Sequence, residues 1–472
     1  DRNEKFMNEL ETDYLVVGAG ASGMAFTDAL IAGGDAEVVM VERRNDPGGH
    51  WTVAYPFVRI HHTSSCYGVN SIPLGQDTID DTGLSAGMYE RGEAREICAH
   101  FRRALEDVLL PSGQVRYFGM CDYVGDWEDD HAFVSRVNGK KTTVRVRKKI
   151  VDTTYLDVTV PATHKPAFSI DPDARFITPG HLVDITQRPS GYTVVGGGKT
   201  GMDTVIWLLE HGEDPERIRW IKPRDCWMID RMCMQPLDLV AESVEGFSNG
   251  IETLAAAESV DDLWPRVEAT GLIARPNSDV LPTMFKGAIV SAAERDKLGE
   301  VENVVQMGRI NKLGTDRIVL AEGEISTDRK QLHIDCTATA FRSAPEIPIF
   351  GPKRITLQSM VGGFTTYYAA LIGFIESTAR DDEAKNRLCP PCAQVGVPID
   401  WVKVLRGVLR TTALHGAEPD VTAWQGDSRL NITRDAGKHL DNPRVQAGLA
   451  RWEANAEQAL ANSERFLADA GL

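Results

Sequence analysis

Two short segments of the sequence carry glycine at a spacing that suits phosphate binding. The pattern G-x-G-x-x-G occurs twice, and its glycines are Gly18, Gly20, Gly23, Gly196, Gly198 and Gly201. Glycine at these positions lets backbone N–H groups approach a pyrophosphate at the N-terminus of a helix. We therefore predict two dinucleotide-binding turns, with Ser22, Lys199 and Thr200 as neighbouring contacts.

Each turn lies where a strand should end and a helix begin. The first follows the apolar run "DYLVVG" and precedes a helical pattern from about Ser22 to Gly33. The second follows "YTVVG" and precedes a helical pattern from about Thr200 to His211. Further strands, "EVVMVE" and "RIRWI", complete a β-α-β unit around each turn, which is the context that a nucleotide fingerprint requires.

The strand that follows each helix ends on residues of opposite charge. Glu42 lies 24 residues after Gly18, where a carboxylate accepts hydrogen bonds from a ribose, and Arg43 is beside it. After the second turn, Lys222 and Arg224 occupy the corresponding region, where basic side chains suit a ribose 2′-phosphate. We therefore predict FAD at the first turn, where the following strand ends on an acid, and NADPH at the second turn, where basic residues follow the strand.

The remaining patterns predict how these units are joined. A helix over about 93–110 precedes strands with a hairpin at Asn138-Gly139, which indicates a β-meander inserted into the first domain. Helical signals over about 229–300, including "FKGAIVSAAERDKL", predict an insertion that shapes a substrate pocket. Strands return at "VVQMGRI", "DRIVLAE" and "QLHIDCTATAF", and the tail from about Asn442 has the helical spacing typical of core packing.

The chain of 472 residues is long enough for two to four domains. The order of elements predicts an α/β fold with two Rossmann-like dinucleotide-binding domains, the second inserted in the first, and a helical C-terminal segment. We expect the FAD-binding domain over 1–155 and 326–472, and the NADPH-binding domain over 156–325.

Charge and composition limit the classes of binding partner and the cellular location that we expect. A net charge of −17 argues against binding to nucleic acid or to an anionic membrane surface. The polar N-terminal segment and the absence of a long apolar run predict a cytoplasmic protein, and a homodimer is left open. Eight cysteines indicate reduced thiols, and "CPPC" at 389–392 is expected to be a loop rather than a redox pair. The cysteine and histidine spacings predict no metal site.

Three further stretches carry a family resemblance. "ERRNDPGGHW" contains Gly49 and Trp51, "CYGVNSIP" contains Asn70, and "GGGKTGMD" contains the second turn. Together with the two turns, these stretches resemble flavoprotein monooxygenases with two dinucleotide-binding domains, the group of the flavin-containing monooxygenases. Lys199 stands where that group usually has Asn, and its F-x-G-x-x-x-H signature is absent, so the sequence resembles a divergent relative.

The resemblance implies an activity. In such an enzyme NADPH reduces the FAD, and the reduced flavin and O2 form a C4a-(hydro)peroxide that oxygenates a small organic substrate. Asn70 would hydrogen-bond the peroxide or the nicotinamide, although an Asn near a Pro is also an ordinary turn residue. Either His61 or His62 could face the flavin, with a structural role as the simpler alternative. A reductase or dehydrogenase without oxygen insertion, and a non-catalytic nucleotide-binding regulator, remain open.

Overall fold

The structure is a computed structural model that describes residues 8–277, 279–342, 344–361, 365–392 and 395–472. Its strands are β1 (Asn8–Val17), β2 (Val38–Val41), β3 (Val115–Phe118), β4 (Cys121–Tyr123), β5 (Ala132–Ser135), β6 (Lys141–Asp152), β7 (Ser169–Ile170), β8 (Phe176–Ile177), β9 (Tyr192–Val195), β10 (Ile218–Ile221), β11 (Cys226–Asp230), β12 (Ile273–Ala274), β13 (Met284–Val290), β14 (Val304–Val305), β15 (Ile310–Leu313), β16 (Arg317–Leu320), β17 (Gly323–Ser326), β18 (Leu332–Asp335) and β19 (Arg354–Thr356). Its α-helices are α1 (Ala21–Ala32), α2 (Ala94–Arg103), α3 (Lys199–Glu210), α4 (Val240–Ala256), α5 (Val260–Ala269), α6 (Ala292–Gly299), α7 (Thr365–Ser377), α8 (Asp382–Leu388), α9 (Ile399–Gly416), α10 (Pro419–Asp427) and α11 (Pro443–Asp469).

The first sheet has the strand order β3-β2-β1-β6-β5-β4, and β19 pairs with β6 as well. Strands β1, β2, β3, β6 and β19 run parallel, whereas β4, β5 and β6 form an antiparallel meander. The first half of β6 pairs with β5 and its second half with β19, so one long strand belongs to both parts. The predicted meander beside the first β-α-β unit is confirmed.

The second sheet is parallel throughout, with the order β14-β10-β9-β18-β8. All its strands lie in the sequence between β6 and β19 of the first sheet, so the second unit is inserted in the first, as predicted. Strand β18, which the expected boundary at 326 assigns to the first domain, pairs with β9 of the second sheet instead. We propose the same two-domain division with the return to the first domain after Asp335.

The insertion over 229–300 is less helical than expected. "FKGAIV" forms most of β13 in a small sheet with β11 and β12, and only the residues after Ser291 form the helix α6. The prediction of a helix over the whole "FKGAIVSAAERDKL" segment is wrong because Ser291 and Glu294 form a capping box that starts the helix there. Ala288, Ile289 and Val290 are buried in the sheet.

Helices from the end of the chain complete both cores. Helix α7 packs so closely on α1 that a Cβ at Gly373 would lie 2.3 Å from the carbonyl oxygen of Phe26. Helix α11 joins the core of the insertion through Phe466 and Leu467, which confirms core packing for the tail, whereas Leu449 is 42% exposed. Among the described residues, no helix combines the length and the apolar character needed to cross a membrane.

Candidate functional site

The first glycine turn leaves no room for a side chain at two of its three glycines. Gly18 has a φ of +102°, and a Cβ there would lie 2.4 Å from Thr153 Oγ1. A Cβ at Gly23 would lie 2.2 Å from the carbonyl oxygen of Gly18. At Gly20 the nearest atom is the Cα of Gly49, at 3.6 Å, which is an ordinary contact. Gly18 and Gly23 therefore shape the turn, while Gly20 has room beside it.

The second turn repeats this geometry. Gly196 has a φ of +126°, and its Cβ would lie 2.4 Å from the carbonyl oxygen of Cys336. A Cβ at Gly201 would lie 2.0 Å from the carbonyl oxygen of Gly196. Nothing in the described chain comes within 4 Å of the Cβ position at Gly198. In both turns, the first and third glycines bring strand and helix together, and the second glycine has room beside it.

The helices that follow the turns present free N-termini to that space. Gly20 is the N-cap of α1 and Gly198 is the N-cap of α3, and no described side chain caps either helix. Unpaired N–H groups and the helix dipole favour an anion at such an end. Ser22 and Thr200 lie half-buried in the first turns of the two helices. Both ends therefore fit the pyrophosphate of a dinucleotide.

The acid predicted for the first site lies beside its turn. Glu42 is 3% exposed, and its carboxylate oxygens accept hydrogen bonds from the backbone N–H groups of Ala19 at 2.8 Å and Arg44 at 2.9 Å. Each oxygen keeps a further lone pair that a ribose hydroxyl could use. Arg43 is mostly exposed, and its guanidinium lies 3.9 Å from Asp122 of β4.

The other residues predicted for the first site belong to segments that pack around α1. Gly49 touches the turn directly, since its Cβ would lie 2.9 Å from the Cα of Gly20. Trp51 donates a hydrogen bond of 2.7 Å from its indole N–H to the hydroxyl of Tyr67.

Asn70 is held from two sides. Its backbone N–H donates to a carboxylate oxygen of Asp28 on α1 at 2.9 Å. Its side-chain oxygen accepts a hydrogen bond of 2.9 Å from the hydroxyl of Ser428. The structure thus links Asn70 to the helix of the first turn and to the C-terminal segment.

The predicted basic residues of the second site have different surroundings. The ammonium of Lys222 is buried 2.6 Å from Asp225 Oδ1, and it lies 4.6 Å from the ring centroid of Trp220. Lys199 forms an ion pair with Asp203, one turn further along α3. Arg224 is exposed and forms no ion pair within the described part of the chain. Its charge is therefore available to a phosphate.

A group of buried charges lies where the two domains meet. Arg91, from the first domain, lies 3.0 Å from Glu294 Oε1, and Arg231 lies 2.6 Å from Glu294 Oε2. Lys199 and Asp203 of α3 are close enough to act electrostatically on Glu294 and Arg91, respectively. We call Arg91, Lys199, Asp203, Arg231 and Glu294 the inter-domain cluster. Its members come from four separate segments, so no sequence spacing signals it.

The inter-domain cluster fixes the charge state of Glu294. Burial alone would raise the pKa of Glu294, but the positive charges of Lys199, Arg231 and Arg91 outweigh burial and lower the pKa to about 2. Glu294 is therefore ionised at neutral pH.

Hydrogen bonds and a cavity accompany the cluster. The hydroxyl of Tyr55 donates to Asp203 at 2.8 Å, and the Nε of Arg231 donates to the backbone carbonyl of His61 at 2.9 Å. A cavity of about 510 Å³ lies between the segment before α2 and helix α3, and Arg91, Asp203 and Glu294 are part of its wall. Of the insertion predicted to shape the pocket, Glu294 alone among the described residues lines this cavity.

Comparison with known proteins places these features in context. The family model described as an NAD(P)-binding Rossmann-like domain matches residues 16–62, which contain the first turn, Glu42 and Trp51. Among solved structures, a flavin-containing monooxygenase from Stenotrophomonas maltophilia is 14% identical, with 88% of this chain and 99% of that chain covered and a TM-score of 0.44. A closed crystal structure of cyclohexanone monooxygenase is 12% identical, with coverages of 95% and 98% and a TM-score of 0.48.

The two sheets and their turns define an α/β protein with two Rossmann-like dinucleotide-binding domains. A protein of Mycobacterium tuberculosis with the name "Uncharacterized protein Rv2000" is 40% identical over 439 residues, which are 93% of this chain and 81% of that protein. The chain belongs to the same protein family as this mycobacterial relative.

The glycines of the second turn give a test with a matched control. We expect Gly201→Ala to lower the free energy of unfolding by about 1–3 kcal/mol, because the new methyl group would overlap the Gly196 carbonyl. Gly198→Ala should change it by less than about 0.5 kcal/mol, because the position is open. Denaturant unfolding of both variants measures the difference, and equal losses would contradict the geometry.

The inter-domain cluster predicts a pH-dependent stability. Because the pKa of Glu294 is lowered from 4.5 to about 2 by folding, its contribution is present above pH 4.5 and is lost as the pH falls towards 2. We expect Glu294→Gln to be less stable than the parent protein by roughly 3 kcal/mol at pH 7. Denaturant midpoints at pH 7 and pH 3 should show this difference shrinking in acid; a constant difference would refute the assignment.

Proposed function

We propose that the protein is an NADPH-dependent FAD monooxygenase that oxygenates a small organic substrate. The observation that carries this proposal is the presence of two turns with the same geometry in one chain, one beside a buried acid and one beside basic residues. A single chain needs two such turns when it holds two dinucleotides that exchange electrons. The contacts of α3 and α6 with the segment before α2 keep the two units together.

The first turn is the proposed FAD site. Its ligands would be Gly18, Gly20, Ser22, Gly23, Glu42, Gly49 and Trp51, with Arg43 at the exposed edge and Asn70 as the proposed catalytic residue. When bound, FAD would accept a hydride from NADPH and react with O2. The chain would supply the helix N-terminus for the pyrophosphate and Glu42 for the ribose.

The second turn is the proposed NADPH site. Gly196, Gly198, Lys199, Thr200 and Gly201 would surround the pyrophosphate. Of the two basic residues after β10, we propose Arg224 as the main contact of the 2′-phosphate, because Lys222 already has Asp225 as a partner. Lys222 would act by lining the site and by neutralising that buried carboxylate.

Thiol chemistry has little support. Burial raises the pKa of all eight cysteine thiols, and none of them forms a disulfide within the described part of the chain. The CPPC segment follows α8 in a loop, as predicted, and burial raises the pKa of Cys392 to about 11. A reactive pair needs a lowered pKa, so these observations disfavour a reductase that works through a dithiol. We propose a cytoplasmic location from the sequence patterns, and a homodimer stays open.

The oxygen phase of the reaction distinguishes the proposed function from the two alternatives. Protein with bound FAD is reduced with NADPH and then mixed rapidly with O2, while the absorbance is recorded. A monooxygenase should show a transient spectrum that precedes reoxidation of the flavin. Direct reoxidation, with one H2O2 released per flavin, would support a reductase without oxygen insertion. Bound nucleotides with no NADPH consumption would support a regulator.

The two basic residues of the second site are expected to have different roles, one in NADPH binding and one in stability. Arg224→Ala should raise the KM for NADPH about ten-fold or more and leave the KM for NADH nearly unchanged, because only NADPH carries the 2′-phosphate. Lys222→Met should instead lower the free energy of unfolding by about 3–5 kcal/mol, since it leaves Asp225 buried without its partner. Steady-state kinetics with both nucleotides and denaturant unfolding of both variants test this, and a selective NADPH defect in Lys222→Met alone would reverse the assignment.

A further inference from the structure

The backbone around Asn70 is hydrogen-bonded to two helices of the first domain. The N–H group of Val69 donates to Nε2 of His100 on α2 at 3.1 Å. The N–H groups of Asn70 and Ser71 both donate to one carboxylate oxygen of Asp28 on α1, at 2.9 Å and 3.1 Å. Because α1 begins at the first turn, these bonds fix the position of Asn70 relative to that turn.

A third anchor comes from the segment that follows α10. Nη1 of Arg429 donates to the carbonyl oxygens of Tyr67 and Val69, at 2.8 Å each, and Nη2 donates to the carbonyl oxygen of Ser64 at 3.3 Å. Gly68 lies between the two carbonyls held by Nη1 and has a φ of +94°. One guanidinium therefore holds this bend of the chain at several points.

Ser428, the residue before Arg429, contacts the side chain of Asn70. Ser428 is 3% exposed, and its backbone N–H donates to the carbonyl oxygen of Trp424 at 2.8 Å at the end of α10. Its hydroxyl donates a hydrogen bond of 2.9 Å to Oδ1 of Asn70. A serine at this place could instead use its hydroxyl on a carbonyl of the preceding helical turn. The structure thus connects the buried hydroxyl to the amide.

This hydrogen bond determines which part of the Asn70 amide stays available. With Oδ1 engaged, the N–H groups of Nδ2 are the donors that the amide can still offer. Within the described part of the chain, Nδ2 makes no hydrogen bond, and it is not among the fully buried side-chain atoms. The half-buried Asn70 therefore has a fixed acceptor end and a donor end that a ligand can reach.

A donor that is held in place before a reaction has a particular effect. Fixed N–H groups stabilise negative charge as it develops on an acceptor, because they need no reorganisation at that moment. An amide that could turn over would present its oxygen part of the time and would lose this advantage. The hydroxyl of Ser428 opposes such a turn, since only Oδ1 can accept its proton.

We propose that Ser428 is a positioning residue of the first site, whose hydroxyl holds the side-chain oxygen of Asn70 and thereby presents the amide N–H groups as donors towards the bound cofactor. This inference rests on the proposed function, in which Asn70 is the catalytic residue. It assigns a role at the first site to the chain after α10, 358 residues beyond Asn70.

Visible circular dichroism of the FAD-loaded full chain tests this placement independently of activity, because the spectrum of a bound flavin responds to the groups around its ring. We expect Asn70→Ala and Ser428→Ala to shift the flavin bands in the same direction, with the smaller shift in Ser428→Ala. Ser428→Thr, which keeps the hydroxyl, should restore the parent spectrum. An unchanged spectrum in Asn70→Ala or in Ser428→Ala, or shifts in opposite directions, would overturn the proposal.

Ser463→Ala is the matched control for the loss of a buried hydroxyl. Ser463 is fully buried, and its hydroxyl donates to the carbonyl oxygen of Leu460 at 2.7 Å within α11. We expect this variant to keep the parent spectrum. Denaturant unfolding should show similar losses of stability in Ser463→Ala and Ser428→Ala, so a spectral change confined to Ser428→Ala reports on Asn70. An equal spectral change in Ser463→Ala would refute the role of Ser428.

A double-mutant cycle tests whether Ser428 acts through Asn70. The reduced, FAD-loaded protein is mixed rapidly with O2, and the decay rate of the transient spectrum is measured. Ser428→Ala should raise this rate about five-fold and leave the KM for NADPH within about two-fold, because a fixed donor is lost from the reaction and not from nucleotide binding. Ser428→Ala combined with Asn70→Ala should decay no faster than Asn70→Ala alone. Additive effects would overturn the proposal.

The same measurements separate this inference from the proposed function. A parent protein that shows the transient spectrum, with no change of spectrum or decay rate in Ser428→Ala, refutes the inference and leaves the proposed function standing. A parent protein that binds FAD but shows no transient spectrum refutes the proposed function, and circular dichroism then still decides whether Ser428 positions Asn70 at the flavin. A chain that binds no FAD refutes both.

Discussion

Steric exclusion at the first and third glycines of each turn is the constraint on which the rest of the structure depends. The positions that a Cβ would take at Gly23 and Gly201 lie 2.2 Å and 2.0 Å from backbone carbonyl oxygens. Any side chain there would push the helix away from its strand. With glycine, each helix starts directly at the edge of its sheet, and no described side chain caps its unpaired N–H groups. The same geometry appears at both turns.

The contact between the two units depends on a different interaction. The core around α1 and α7 is apolar and closely packed, whereas the units meet through buried ion pairs. Charges removed from water stabilise a contact only when each has a partner in good geometry. A shifted arrangement of the two units would leave buried charges without partners and would therefore cost free energy. The three cations of the cluster keep Glu294 ionised, and they add to the effect of burial, which is the main cause of the lowered pKa of His61. One set of charges thus fixes the domain contact and sets the electrostatic character of the space beside it.

Local patterns in the sequence were sufficient for the elements around the turns. Glycine spacing, apolar strands and the acid at Glu42 act over a few residues, and the structure has each element where it was predicted. Strand β13 was missed because "FKGAIV" is apolar enough for either element, although the capping box at Ser291 and Glu294 marks the true helix start. The placement of β18 was missed because strand pairing depends on distant segments. For the same reason, neither the partners of Lys199 and Lys222 nor the assembly of the inter-domain cluster could be predicted from spacing.

Anaerobic mixing of the FAD-loaded protein with NADPH tests the central claim most directly, because it requires both turns to be occupied and their nucleotides to meet. The two-turn architecture predicts that the chain retains FAD on purification or binds added FAD, and that one equivalent of NADPH bleaches the visible absorbance of the bound flavin. A chain that binds no FAD would contradict the claim. Bound FAD that stays oxidised in saturating NADPH would contradict it equally.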